Sequence, residues 1–187
     1  MKNLISILFI LIPTTIVCQQ SKTPDKQTGY QNYTSYGQLI GSGRDNNTIV
    51  SSIQMEHNYL FNKNFAFGLT TGLEWMDINM ATIGGNIKII FPTTNKQSVY
   101  FGASLGRVIP LDDAEDDWRQ IKNTHGGDFI NTEIGYVFPT KGVAAFYTAI
   151  GYRFQEYSYS IEDWWLDDLQ RSVKYNRFLI RIGLRIF

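Results

Sequence analysis

From Tyr175 to Phe187 the chain alternates large apolar residues (Phe178, Ile180, Ile182, Leu184, Ile186) with Arg177, Leu179, Arg181, Gly183 and Arg185. Side chains of an extended strand point to opposite faces with a period of two, so this segment carries one apolar face and one basic face. A basic face is too costly to place in lipid, and a row of five large apolar side chains is unfavourable in water. A transmembrane β-barrel satisfies both demands, with lipid outside and polar side chains in the lumen.

The same alternation recurs upstream. Eight strands are expected: Tyr33 to Ser42, Thr48 to Phe61, Phe65 to Met76, Met80 to Phe91, Ser98 to Ile109, Asp128 to Phe138, Val143 to Tyr157 and Val173 to Phe187. The first has the poorest alternation and is interrupted by Gly37 and Gly41. Three connections are compact and rich in Asn, Pro, Gly and Thr: residues 62–64, 92–97 and 139–142. Longer loops alternate with them, above all Pro110 to Gly127 and Ser158 to Ser172. Short turns on one side and long loops on the other is the pattern of an outer-membrane barrel, and an even strand count puts both ends of the barrel on the short-turn side. Mean hydropathy is only −0.19, which disfavours helical spans but not strands that are apolar at alternate positions.

Parity separates the faces. The lipid face reads Phe65, Phe67, Leu69, Leu73 and Trp75 on the third strand and Phe146, Ile150, Tyr152 and Phe154 on the seventh. Opposite lie Gly68, Gly72, Gly84, Gly102, Gly106, Gly135, Gly151 and Gly183, as a narrow and crowded interior requires. Aromatic girdles are expected from Tyr59, Phe61, Phe65, Phe91, Phe138 and Phe187 at the short turns, and from Trp75, Tyr152, Phe154 and Tyr157 near the loops. The interior also receives Glu56, Glu74 and Glu133 against Lys88, Arg153, Arg181 and Arg185. An eight-stranded barrel is just wide enough for side chains to fill. Charges at that density must pair, so a Glu–Arg/Lys network plugging the lumen is expected, with a narrow gated ion path as the alternative.

Lys2, an apolar run from Leu4 to Val17 and a polar exit at Gln19 have the form of a cleaved export signal over residues 1–18. At this length the run is too short to span a bilayer comfortably. Cys18 is the single cysteine, and Val17 before it departs from the small residue of a lipid-attachment signal; no internal disulfide can form. Residues 19–32 are polar and aperiodic and read as a flexible periplasmic leader, which leaves 33–187 as the barrel.

On these features the chain resembles the small eight-stranded outer-membrane β-barrels of Gram-negative bacteria, the porin-like barrels similar in plan to the outer-membrane protein A transmembrane domain. The Gln19-Gln20 start is similar to that of secreted proteins of the Bacteroidota. The resemblance implies an all-β, antiparallel, up-and-down barrel in the outer membrane, with outer-membrane lipid and the barrel-assembly machinery as partners. One departure is Phe187, which is out of phase with Ile182, Leu184 and Ile186, so a bulge near the end or a looser assembly signal is required.

Function is read from what remains. A zero net charge gives no reason to expect nucleic acid as a partner. His57 and His125 are the only histidines, and neither sits in a motif with a serine nucleophile and a carboxylate; no catalytic residue, cofactor or metal is expected. The loop residues Asp112, Asp113, Asp116, Asp117 and Trp118, and Asp163, Trp164 and Trp165, form two acidic, tryptophan-bearing clusters that lack the glycine and spacing of a calcium loop. Ser160 and Asp163 fit the cap of a short helix with Ile161, Trp165 and Leu169 on one side. The expected role is non-enzymatic, structural or binding an extracellular ligand or protein through these loops. The alternatives are a barrel enzyme acting on membrane lipids and a soluble periplasmic lipocalin-like ligand carrier with its apolar face turned inward. A serine or threonine hydroxyl within hydrogen-bond reach of His57 or His125 would favour the enzyme, and an apolar lumen the carrier.

Overall fold

The computed structural model describes residues 28–41, 49–76, 78–93, 97–112, 121–138, 144–163 and 166–186, with the side chains of 121–123 and 161–170 left out. Within them lie eight strands: β1 (Gly29–Ile40), β2 (Ile49–Asn62), β3 (Phe65–Trp75), β4 (Asn79–Pro92), β5 (Ser98–Pro110), β6 (Ile121–Val137), β7 (Ala144–Asp163) and β8 (Leu166–Ile186). Each pairs antiparallel with the next, and β8 returns to β1, so the sheet is a closed up-and-down barrel. Closure satisfies the backbone N–H and C=O groups that lipid cannot, which is why alternating strands of this kind form a barrel rather than an open sheet.

Backbone pairing that starts at Gln31 climbs through Asn58, Gly68, Asn86, Ser104, Asn131, Arg153 and Arg177. The Cα of Arg177 lies against Gly41, 3.2 Å from where a Cβ there would be. One circuit therefore advances from Gln31 to Gly41 along β1, a stagger that goes with strands tilted by about 35–45°.

The barrel is apolar outside and polar inside. Leu105, Phe146 and Ile182 are at least 60% exposed on the outer wall, while Glu56, Lys88, Arg153 and Arg181 are at most 2% exposed within. A soluble carrier would have the opposite arrangement, so the lipocalin-like alternative is overturned. Glycines on the inner face make room for long side chains. A Cβ on Gly135 would stand 2.3 Å from the Tyr100 ring, and one on Gly37 would stand 2.8 Å from Cγ of Arg181.

Five expectations need correction. The barrel begins earlier than Tyr33, because residues 29–32, assigned to the leader, pair with 57–60 of β2. The segment Ser158 to Ser172 is not a loop: β7 and β8 stay paired out to Asp163 and Leu166, separated by two residues. No helix is capped by Ser160, which pairs with Gln170 as strand, and Ile161 pairs with Leu169. Likewise β6 starts at Ile121, inside the expected Pro110–Gly127 loop. In each case strand pairing continued past the membrane-facing alternation that marks a strand in sequence. Tyr157 also leaves the outer girdle, being 2% exposed on the inner face. Pairing of β8 runs without a bulge to Ile186, so nothing there restores the phase of Phe187, which lies outside the described residues. Residues 1–18, with Cys18, also lie outside them.

The Gly135→Ala variant should lose about 1–3 kcal/mol through overpacking against Tyr100. Gly85→Ala, where the nearest atom is 3.9 Å away, should be neutral. The midpoint of the unboiled-to-boiled gel mobility shift checks both.

Candidate functional site

Every interior charge sits where parity puts it, and the lumen is built in storeys. Toward the short turns, Tyr33, Tyr100 and Tyr147 form a triangle of rings with centroids 5.2–6.3 Å apart. Next to it stands an ionic quartet. Lys88 Nζ lies 2.9 Å from Glu56 Oε2 and 3.0 Å from Glu133 Oε1. Arg181 Nη1 lies 2.8 Å from Glu133 Oε2 and 3.6 Å from Glu56 Oε1. Tyr100 donates its hydroxyl to Glu133 Oε1 at 3.1 Å, and Lys88 Nζ sits 4.0 Å over the Tyr100 ring. Gln54 donates to Glu56 Oε1 at 3.0 Å. Two carboxylates and two cations thus neutralise one another in a water-poor space, where an isolated ion would be very costly. Arg185 is buried on the same face, next to Tyr33 in the register of β1 and β8.

Toward the loops, Arg153 pairs with Glu74 Oε1 at 2.6 Å, donates its Nε to Gln155 Oε1 at 2.9 Å and lies 4.3 Å over the Phe129 ring. The lumen is then capped by an apolar cluster of Ile78, Met80, Val108, Phe129, Tyr157, Tyr159 and Tyr175. Tyr157 stacks on Tyr175 at 5.9 Å. The storeys place buried side chains at successive levels of the interior, from the tyrosine triangle to the apolar cap. Sequence reasoning left two parts out of the network, the tyrosine triangle and Arg177. Both were legible by parity, since Tyr33, Tyr100, Tyr147 and Arg177 all alternate with outward residues.

Of the loop candidates, Asp112 accepts a hydrogen bond from Asn79 Nδ2. The backbone of Asp163 pairs with Leu166 at the end of β7. Asp113, Asp116, Asp117, Trp118, Trp164 and Trp165 lie outside the described residues. Beside Asp112 a cavity of about 220 Å³ is lined by Leu73, Glu74, Trp75, Asn79, Met80 and Leu111.

Among the described residues no hydrogen bond joins either histidine to a serine or threonine, although His125 stands opposite Ser158 in the β6–β7 register. His57 faces outward near the short turns, and its Nδ1 is shared by the Tyr30 hydroxyl and by Asn32 Nδ2 at 3.3 Å. His125 is exposed on β6. Among the described residues, no three His, Cys, Asp or Glu side chains converge as a metal site would need.

No family model matches the sequence, and no curated protein matches it. Solved structures do. The outer membrane protein OprG from Pseudomonas aeruginosa superposes with a TM-score of 0.65 at 11% identity, over 86% of this chain and 96% of that one. The fold is that of the small outer-membrane β-barrels. The outer membrane protein AlkL, determined in lipid bilayers, gives 0.57 at 10% identity over 90% and 96% of the two chains. The neisserial surface protein NspA gives 0.55 at 15% identity over 84% and 96%. With so little identity, what is shared is the architecture, and the side chains of the lumen are this chain's own.

Glu133→Gln should cost about 3–5 kcal/mol, because it leaves Lys88 and Arg181 facing each other with one carboxylate. Arg107→Gln, which breaks the exposed 2.8 Å pair with Asp128 on the outer wall, should cost less than about 1 kcal/mol. Urea unfolding of the refolded protein in lipid vesicles measures both.

Proposed function

We propose that this chain is a non-enzymatic resident of the outer membrane that acts by binding at its loop end. The observation that carries the reading is a contrast between the two ends of the strands. The lumen is closed by its own side chains, while three strands rise beyond the wall. Described pairing of β5 with β6 ends at Arg107 and Asp128, but β6, β7 and β8 continue to Ile121, Asp163 and Leu166. At 17, 20 and 21 residues these strands far exceed the 9–11 that a tilted membrane strand needs. Their outward positions turn polar there, with Glu156, Ser158, Lys174 and Asn176 following Phe154 and Phe178. A hydrogen-bonded ridge of this kind ends at Asp163 and Leu166, within the acidic, tryptophan-bearing stretch of sequence that joins β7 to β8. Clustered Trp side chains offer large contact area to an extracellular ligand or protein. The apolar wall supports residence in lipid, and the architecture shared with OprG, AlkL and NspA supports the outer membrane as the site, reached through the export signal and the barrel-assembly machinery.

In planar bilayers the wild-type barrel should give no steady conductance. Replacing residues 160–170 by Asn-Gly, a turn suited to the Tyr159–Arg171 pair, should leave a heat-modifiable, carbonate-resistant barrel. Whole-cell cross-linking should then lose the surface adducts that the full chain forms. A steady ohmic current from the wild type, or an unchanged set of adducts in the trimmed chain, would sink the reading.

A further inference from the structure

Charge does not balance in the loop half of the lumen. Among the described residues of that half, one carboxylate (Glu74) and two cations (Arg153, Arg177) are buried. The quartet cancels within itself, and Glu74 is taken by Arg153. Arg177 is 1% exposed and meets no carboxylate among the described residues. Its Nη1 donates to the Leu39 carbonyl at 3.5 Å and its guanidinium lies 4.9 Å from the Tyr175 ring centroid, while Nε and Nη2 have no acceptor.

The neighbours make the imbalance worse. Arg153 stands directly opposite Arg177 in the β7–β8 register, so the guanidinium of Arg177 faces a second cation whose charge Glu74 already matches. Opposite Arg153 on its other side is Asn131, 0% exposed, with both amide atoms unpartnered. Directly opposed side chains in a sheet start about 4.5–5.5 Å apart, so Asn131, Arg153 and Arg177 form one inward-facing row whose side chains overlap in reach. Within that row, Arg177 Nε and Nη2 and Asn131 Nδ2 are donors in want of an acceptor. Water would accept their hydrogen bonds but bring no countercharge, and a buried unpaired cation costs far more than an unmade hydrogen bond.

We infer that the row Asn131–Arg153–Arg177 binds a small monatomic anion of the chloride class inside the barrel. Tight packing under the Tyr157–Tyr175 cap favours a small ion over sulfate or phosphate. A bound anion adds stability in proportion to the logarithm of its concentration above Kd.

The test uses the full chain refolded in detergent, with the heat-modifiable mobility transition followed at constant ionic strength as sodium gluconate is replaced by sodium chloride. The wild-type midpoint should rise with chloride and should not rise when sulfate replaces gluconate. Arg177→Met should abolish the dependence, and Arg107→Gln on the outer wall should retain it. Chloride-35 relaxation of the wild type provides a readout that does not depend on the variant folding. Line broadening should exceed that of empty micelles and be competed away by bromide. Equal midpoints in chloride and gluconate, a chloride effect that survives in Arg177→Met, or broadening no greater than that of micelles alone would overturn the site.

Discussion

Closure of β1 onto β8 is the constraint from which the rest of this structure follows. In hydrocarbon an unpaired peptide group costs several kcal/mol, so a sheet that crosses a membrane must have no edge. The register meets this by pairing 32–40 of β1 with 178–186 of β8. With eight tilted strands the interior is narrow, and that narrowness decides what the inner face can hold. Long cationic side chains lie across the lumen because glycines opposite them yield space, as Gly37 does for Arg181. Neutralisation then follows from burial: Glu56 and Glu133 take up positions between Lys88 and Arg181 because none of the four could stay charged there alone.

The two ends of the barrel are finished differently. Near the short turns, tyrosines do the filling, and their rings accept the field of Lys88 while a hydroxyl serves Glu133. Near the loops, the ionic interior gives way to an apolar cap in which tyrosines of the β7–β8 ridge meet Ile78, Met80 and Val108. The ridge is therefore part of the plug as well as a projection beyond the wall.

Strand β1 shows why part of the fold was faint in the sequence. Its outward residues include Asn32, Thr34, Tyr36 and Gln38, which read as a failed lipid face. The structure shows most of these polar groups satisfied along the wall: Thr34 donates to Asn32, Asn32 and Tyr30 meet His57, and Tyr36 meets Ser51. Hydrogen bonds between neighbouring strands replaced apolar character, and a single-strand pattern carries no sign of a neighbour. The upper parts of β7 and β8 were hidden for a related reason. Above the bilayer no lipid demands alternation on the outer face, so Ser158 to Ser172 reads as loop until its pairing is known.

What the sequence determined by itself is whatever period two and composition can carry: eight strands, an apolar outer wall, an interior of glycines and charges, and the parity of Glu56, Glu74, Lys88, Glu133, Arg153, Arg181 and Arg185. Each strand reports its own two faces, because lipid selects one and the lumen the other. Which charge meets which was decided only by the tertiary structure. Register and stagger set Lys88 between carboxylates drawn from β2 and β6, and set Arg153, paired with Glu74, opposite Arg177. Those distances depend on closure of all eight strands at once, and no segment read alone contains them.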